Sequence, residues 1–424
     1  MAQYSKSISR RSVLRQLAAG AAAATIARPA FSTPQTVKVG LVAPQTGSLA
    51  LFNEEMAWAL DHARKALSNS IKINGAVHPL EFVVKDSQSN PNRAAEVAQD
   101  LILKDKVHLV TTFATPETVN PVADQCEVNG MPCVSTDDPL ESFFFGRHGD
   151  LKKGFEWTYN FFFAGSGALG AMMAAWSRVP SNKVLGVLWA NDDDGRVFAK
   201  VMPPALVKNG FKVVDPGRFD LPANNFSPEI AAFKAENVEI VLAVVPGPDF
   251  TVFLNQAAQQ GLKPKIMTAG KVGEFPQGVY PYGDRAINMV TEVWWSKYHP
   301  YASGLTGQSS MEYATEYEKN ADKQAAMALG FRHSLIEVAV DTLKRSQKID
   351  EPESIRDALR ATDYKSIVGP INFRTGPFPN TSETKCVAGQ WRKGKKWPLE
   401  LLIVDNSLAP DVPTQGMPEP MTYS

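Results

Sequence analysis

Residues 161–170 read FFFAGSGALG, and Gly165-x-Gly167-x-x-Gly170 has the spacing of a turn that lets pyrophosphate approach a helix N-terminus. The aromatic run WTYNFFF before it reads as a strand and AMMAAW after it as a helix. About twenty residues on, the apolar run VLGVLWA ends in NDDD, where an acidic group can hold a ribose. That order implies an exported NAD(P)-dependent oxidoreductase. Against it stands the strand itself. A dinucleotide-binding first strand must be slim, and Trp157, Tyr159, Phe161, Phe162 and Phe163 crowd this one. Other chemistry finds no pattern: the sequence has no G-x-S-x-G elbow and no H-E-x-x-H. His62, His78, His108, His148, His299 and His333 are scattered without ligand spacing. A metal site is not expected.

The elements around that motif form two similar series. Apolar runs alternate with helical patterns, the mark of parallel α/β layers. The first series is VKVGLVAP (37–44), EFVVKDS (81–87), VHLVTTF (107–113) and PCVSTD (132–137), with helices between. The second is VLGVLWA (184–190), FKVVDPGRFD, EIVLAVV (239–245) and KIMTAG (265–270). After them come AINMVTEVWWS (286–296), an amphipathic helix at about 323–346, and the short strands VGPINF, KCVAGQW and PLELLIV. The fold class expected is α/β, two doubly wound parallel-sheet lobes joined by three crossover strands. Lobe one takes residues 31–155 plus about 297–365, and lobe two takes 156–296 plus about 366–406. Residues 407–424 form a tail. On this plan WTYNFFFAGSGALG is a crossing strand between lobes, and its glycines ease a tight entry into the first helix of lobe two. Ligands of doubly wound sheets sit beyond the strands' carboxyl ends, so two facing lobes share one cleft.

The first thirty residues have another purpose. Ser9-Arg10-Arg11-Ser12-Val13-Leu14-Arg15 fits the twin-arginine export pattern, and the Ala-rich stretch after it is too short and mild to span a bilayer. Cleavage is expected after Ala27 or Ala30, with the mature protein soluble in the periplasm. Removing residues 1–30 takes away five basic residues and no acidic one, leaving 39 basic against 44 acidic. A mildly acidic surface argues against nucleic acid as a partner. Cys126, Cys133 and Cys386 are an odd set in a protein that folds before export, so they read as small core residues, with a later Cys126–Cys133 bridge left open.

The stretches VKVGLVAPQTGSLALFNEEMAWALDHARKAL, PNRAAEVAQDLILKDKVHLVTTFATPETVNPVADQ and NFSPEIAAFKAENVEIVLAVV, with the late VGPINF, resemble the leucine/isoleucine/valine-binding family of ABC-transporter solute-binding proteins. The resemblance runs collinearly over essentially the whole mature chain. It implies the type I periplasmic binding fold, with crossovers near 150–160, 286–300 and 362–372, and a monomer as the family default. It also implies closure on a small-molecule solute and delivery to a membrane permease. No catalysis and no cofactor are expected on this reading.

The resemblance also assigns a site. Phe52 falls where an aromatic covers the ligand, and Thr115, Glu117, Thr136, Asp137 and Asp138 fall in the loops that bind the ligand's carboxylate. In lobe two Asp194 and Arg196 replace a common aromatic. The family's acidic residue for the ligand ammonium falls near Gly270, beside Lys271. Adjacent aspartates repel an anion, so an inverted arrangement is expected: lobe one takes donors or cations, and Lys271 or Arg196 takes negative charge. Trp294, Trp295 and Phe144 offer flat surface, and since Trp294 and Trp295 alternate along a strand, only Trp295 is placed in the cleft. The solute expected is small and polar or aromatic, amino-acid-like or an amide or organic acid, and not a branched-chain amino acid. A periplasmic sensor domain of the same fold remains a third reading.

Overall fold

The computed structural model describes residues 34–423. The twin-arginine segment and both expected cleavage positions lie outside them.

The strands come in chain order as β1 (Val37–Ala43), β2 (Ser70–Ile73), β3 (Ala76–Asp86), β4 (Leu109–Thr112), β5 (Cys133–Ser135) and β6 (Thr158–Phe162). There follow β7 (Val184–Ala190), β8 (Lys212–Val214), β9 (Arg218–Phe219), β10 (Ile240–Val245), β11 (Ile266–Lys271) and β12 (Val290–Val293). The chain ends with β13 (Asp363–Ser366), β14 (Gly369–Asn372), β15 (Thr381–Glu383), β16 (Val387–Lys393) and β17 (Leu399–Asp405). One sheet has the order β15-β6-β5-β4-β1-β3-β2, the other β17-β16-β12-β11-β10-β7-β8, with β9 on β7. The first is parallel except for the β2–β3 hairpin. The second is parallel from β8 to β12 and antiparallel at β16 and β17.

Central strands such as IVLAVV of β10 are buried at every residue, as a parallel strand covered on both faces must be. Helix starts are set locally. Asn90 accepts a hydrogen bond from Arg93 N at 3.0 Å before the helix Pro91–Leu103. Asp192 accepts one from Gly195 N at 2.7 Å before the helix Asp193–Lys208. Each side-chain oxygen satisfies a backbone N–H that has no partner within the first turn.

The helix Ala328–Arg345 packs on β2, β4 and β5 of the first sheet, and the helix Gly165–Ser177 packs on β12, β16 and β17 of the second. The chain therefore changes lobe at 163–164, between Val293 and Ser310, and at 384–386. Two sequence boundaries move. Thr158–Phe162 is not a strand of lobe two but pairs with β5 and β15 in the first sheet. The third crossing comes after β15, more than ten residues beyond the expected 362–372. An apolar run shows that a strand is buried, not which sheet buries it. Cys126, Cys133 and Cys386 are free and buried. The expected amphipathic helix is instead buried on nearly every face.

Candidate functional site

The carboxyl ends of β4, β5 and β6 face those of β7, β10 and β11 across one cleft, and the loops leaving them carry the expected residues. Three of those exits hold a non-glycine residue at positive φ: Ala114 at 125°, Asp137 at 59° and Lys271 at 58°. Such backbone costs about 1–3 kcal/mol where it occurs, and it gathers at functional sites. Here it turns Asp137 and Lys271 into the gap. The cavity between the lobes is lined on the first lobe by Phe52, Thr115, Asp137 and the Phe162–Phe163 pair. On the second lobe it is lined by Asp194, Phe198, Lys271, Glu274 and Glu292. The cavity is about 30 Å³, space for one or two waters.

Lys271 is the electrostatic centre. Its Nζ lies 2.7 Å from Asp192 Oδ2, 3.1 Å from Asp194 Oδ2 and 3.9 Å from Glu117 Oε1 of the opposite lobe. Burial alone would lower its pKa, but the three carboxylates outweigh burial and raise it well above the usual value. Burial first, then Asp192 and Asp194, push Glu117 up to about 7 against the pull of Lys271. Burial likewise raises Asp194, although Lys271 opposes it. Further bonds cross the cleft: Ser142 Oγ donates to Asp194 Oδ1 at 2.9 Å, and Asp193 N donates to Glu117 Oε1 at 3.3 Å. Phe52 meets Phe275 edge-on, with centroids 4.7 Å apart.

Several sequence assignments are redirected. Thr136 donates its hydroxyl to Phe161 O at 2.7 Å, tying β5 to β6 rather than facing the cleft. Asp138 is fully buried behind the lining, and burial raises its carboxyl well above the ordinary range. Arg196 points outward, pairing with Asp193 and donating to Asn191 O at 3.1 Å. Trp295 is in the core of lobe one: its Nε1 donates to Ile367 O at 3.0 Å and its ring lies against Gly330. Trp294 packs edge-on against Phe162 and Phe331, and Phe144 stacks on Phe378. The tight approach of each indole to lobe-one residues decides against period-two alternation, because both tryptophans follow the end of β12 rather than lying within it.

The premise about Gly270 also falls. A Cβ built on Gly270 would lie 3.2 Å from Glu292 Oε1, so a carboxylate does occupy that corner, supplied by the neighbouring strand. Glu274, just beyond Lys271, accepts from Lys271 N at 3.1 Å. Burial and then Glu292 raise Glu274 well above the carboxylate range, and burial raises Glu292 too. Exclusion of a branched-chain amino acid loses its basis.

Sequence reasoning also missed Arg332, which pairs with Asp137 and donates from Nε to Phe52 O at 3.1 Å. Burial lowers it to about 9. A lone arginine inside the apolar stretch ALGFRHSLIEVAV is itself the signal, since buried arginine needs a partner.

The glycine motif ends as a joint. Gly165 N and Ser166 N donate to Glu141 Oε2 and Oε1 of the opposite lobe at 2.6 and 3.2 Å. A Cβ on Gly167 would lie 3.1 Å from Glu383 Oε1. The N–H groups that would hold a pyrophosphate hold a protein carboxylate, with a second one nearby to repel phosphate. The oxidoreductase reading loses its site.

The sequence profile described as periplasmic binding protein matches residues 36–395. The chain belongs to that family. This periplasmic binding protein superposes on a leucine binding protein, LivK, from Thermotoga maritima with a TM-score of 0.70 and 18% identity, covering 88% of this chain and 99% of that one. LivJ from Streptococcus pneumoniae, solved with isoleucine, gives 0.69 and 16%, covering 87% and 99%. A solute-binding protein of an ABC transporter from R. palustris, solved with 4-hydroxybenzoate, gives 0.70 and 17%, covering 87% and 96%. At these identities the likeness is one of fold. No helix among the described residues of this periplasmic binding protein is long and apolar enough to cross a membrane.

Proposed function

We propose that this protein is the non-catalytic solute-binding component of an ABC importer. It is exported by its twin-arginine segment to the periplasm, works as a monomer, and hands its solute to a membrane permease. The observation that carries the reading is the shared lining: Phe52, Thr115 and Asp137 from one sheet and Asp194, Lys271 and Glu292 from the other face the same cavity. A small polar or aromatic solute held by both sets is bound fully only when the lobes are together. Binding therefore shifts the population toward the closed form. The chain passes between the sheets in short crossings, which is where a hinge can bend.

Small-angle scattering with and without solute tests this. The radius of gyration falls on saturation with a solute that also raises Tm. A solute that raises Tm while the scattering curve stays unchanged argues against hinge closure.

A further inference from the structure

The charge around the cavity identifies the solute's chemistry, given the solute-binding reading above. Four carboxyl groups line the cavity, Asp137 from the first lobe with Asp194, Glu274 and Glu292 from the second, and the single cation among the lining residues is Lys271. That ammonium is already committed, to Asp192 and Asp194 at 2.7 and 3.1 Å with Glu117 behind. Arg332 is not in the lining; it pairs with Asp137 and donates from Nε to Phe52 O. Lys271 therefore has no free face to offer a carboxylate in the cavity, while Arg332 keeps only its buried Nη1 without a hydrogen-bond partner among the described residues.

Acceptors, by contrast, are in excess. Asp137 Oδ1 is buried and has no hydrogen-bond partner among the described residues. Thr115, 2% exposed and beside Glu117, adds a hydroxyl to the same wall. Glu274 and Glu292 lie against each other with no lysine or arginine paired to either among the described residues. Burial favours the protonated form of such carboxyls, and a cation beside them favours their ionised form. The remaining walls are the rings of Phe52, Phe162, Phe163 and Phe198, whose faces attract a cation.

We infer that the cleft takes an organic cation, an amine, amidinium or quaternary ammonium compound. Its nitrogen lies between the Glu274–Glu292 pair and Asp137, its N–H groups or methyls meet Thr115 and the Phe rings, and Lys271 serves to hold the carboxylate frame rather than the solute.

The test is a thermal-shift and calorimetric series on the purified protein at pH 7.5, with agmatine, putrescine and choline as cations, isoleucine as zwitterion and 4-hydroxybenzoate as anion. At least one cation raises Tm by about 2 °C or more at millimolar concentration, and 4-hydroxybenzoate does not. Glu292→Gln weakens that cation about 10-fold or more, the scale of one lost charged hydrogen bond, while Thr115→Val, which removes only a hydroxyl, weakens it less. The ligand-free Tm of each variant shows that it folds. A shift with isoleucine or 4-hydroxybenzoate alone overturns the inference, as does a flat response to every probe. If the carboxylate's effect is then lost in Thr115→Val, the cleft remains the solute site and only the charge assignment is wrong. A cation effect untouched by both variants places binding elsewhere and removes the solute-site reading with it.

Discussion

Glu141 of the first lobe holds Gly165 of the second by a 2.6 Å bond from the glycine N–H, with Ser166 N beside it at 3.2 Å. A carboxylate accepting two N–H groups at a helix N-terminus is favoured both by the bonds and by the helix dipole. Because the partners sit on different lobes, the bond stabilises their approach as well as the fold. Glu141→Ala is expected to lower stability by about 1–2 kcal/mol and to raise the radius of gyration of the solute-free protein. Urea denaturation and small-angle scattering read the two effects. Neither the wild type nor this variant is expected to quench or shift NADH fluorescence.

Lys271 keeps Asp192, Asp194 and Glu117 together. Replacing it by methionine leaves three buried or half-buried carboxyls without their cation, and breaking one side of such a pair costs about 3–5 kcal/mol. Chemical denaturation should show that loss. Adding Asp194→Asn to Lys271→Met should recover part of it, since one of the stranded charges is gone. A double variant no more stable than the single would show that the cluster is not coupled.

Gly330 lies under Trp295, and a Cβ there would fall 2.4 Å from the indole ring. Gly330→Ala is expected to cost about 1–3 kcal/mol by overpacking, seen as a lower Tm. Trp295→Phe should lower Tm through the lost bond to Ile367 O but leave solute affinity within about twofold. A large loss of affinity would return Trp295 to the cleft.

Stability should fall as pH rises from about 6.5 to 8.5. Burial raises Glu55, Glu117 and Glu337 to about 7. A carboxyl whose folded pKa is raised binds more protons folded than unfolded, so its contribution is present at low pH and disappears as pH passes the folded value. Burial lowers His299 to about 4 and His333 to about 3, which opposes this trend, fading as the unfolded histidines lose their protons above about pH 6.5. Melting curves across pH 6.5–8.5 should slope downward, less steeply in Glu117→Gln. An upward slope would mean that these carboxyls are ionised in the folded protein.

The alternating apolar runs were enough for two parallel lobes, because a strand buried on both faces must be apolar throughout and the helices between must carry a stripe. The strand ends were legible too, and with them Phe52, Thr115, Asp137, Asp194 and Lys271, all of which line one cavity. What failed was pairing. Glu292 fills the corner beside Gly270 from a strand some twenty residues away, and Arg332 reaches Asp137 across nearly two hundred. Both are charges set in apolar runs, so each announced that it needed a partner without naming one.

The order of residues thus determined which segments are strands and helices, through periodicity and caps that act within a few residues. Only the tertiary structure decided which carboxylate meets which cation, whether the G-x-G-x-x-G turn faces a ligand or Glu141, and that both Trp294 and Trp295 are core. Those outcomes depend on distances between segments far apart in the chain, and electrostatic and hydrogen-bond energies are set by such distances rather than by sequence spacing.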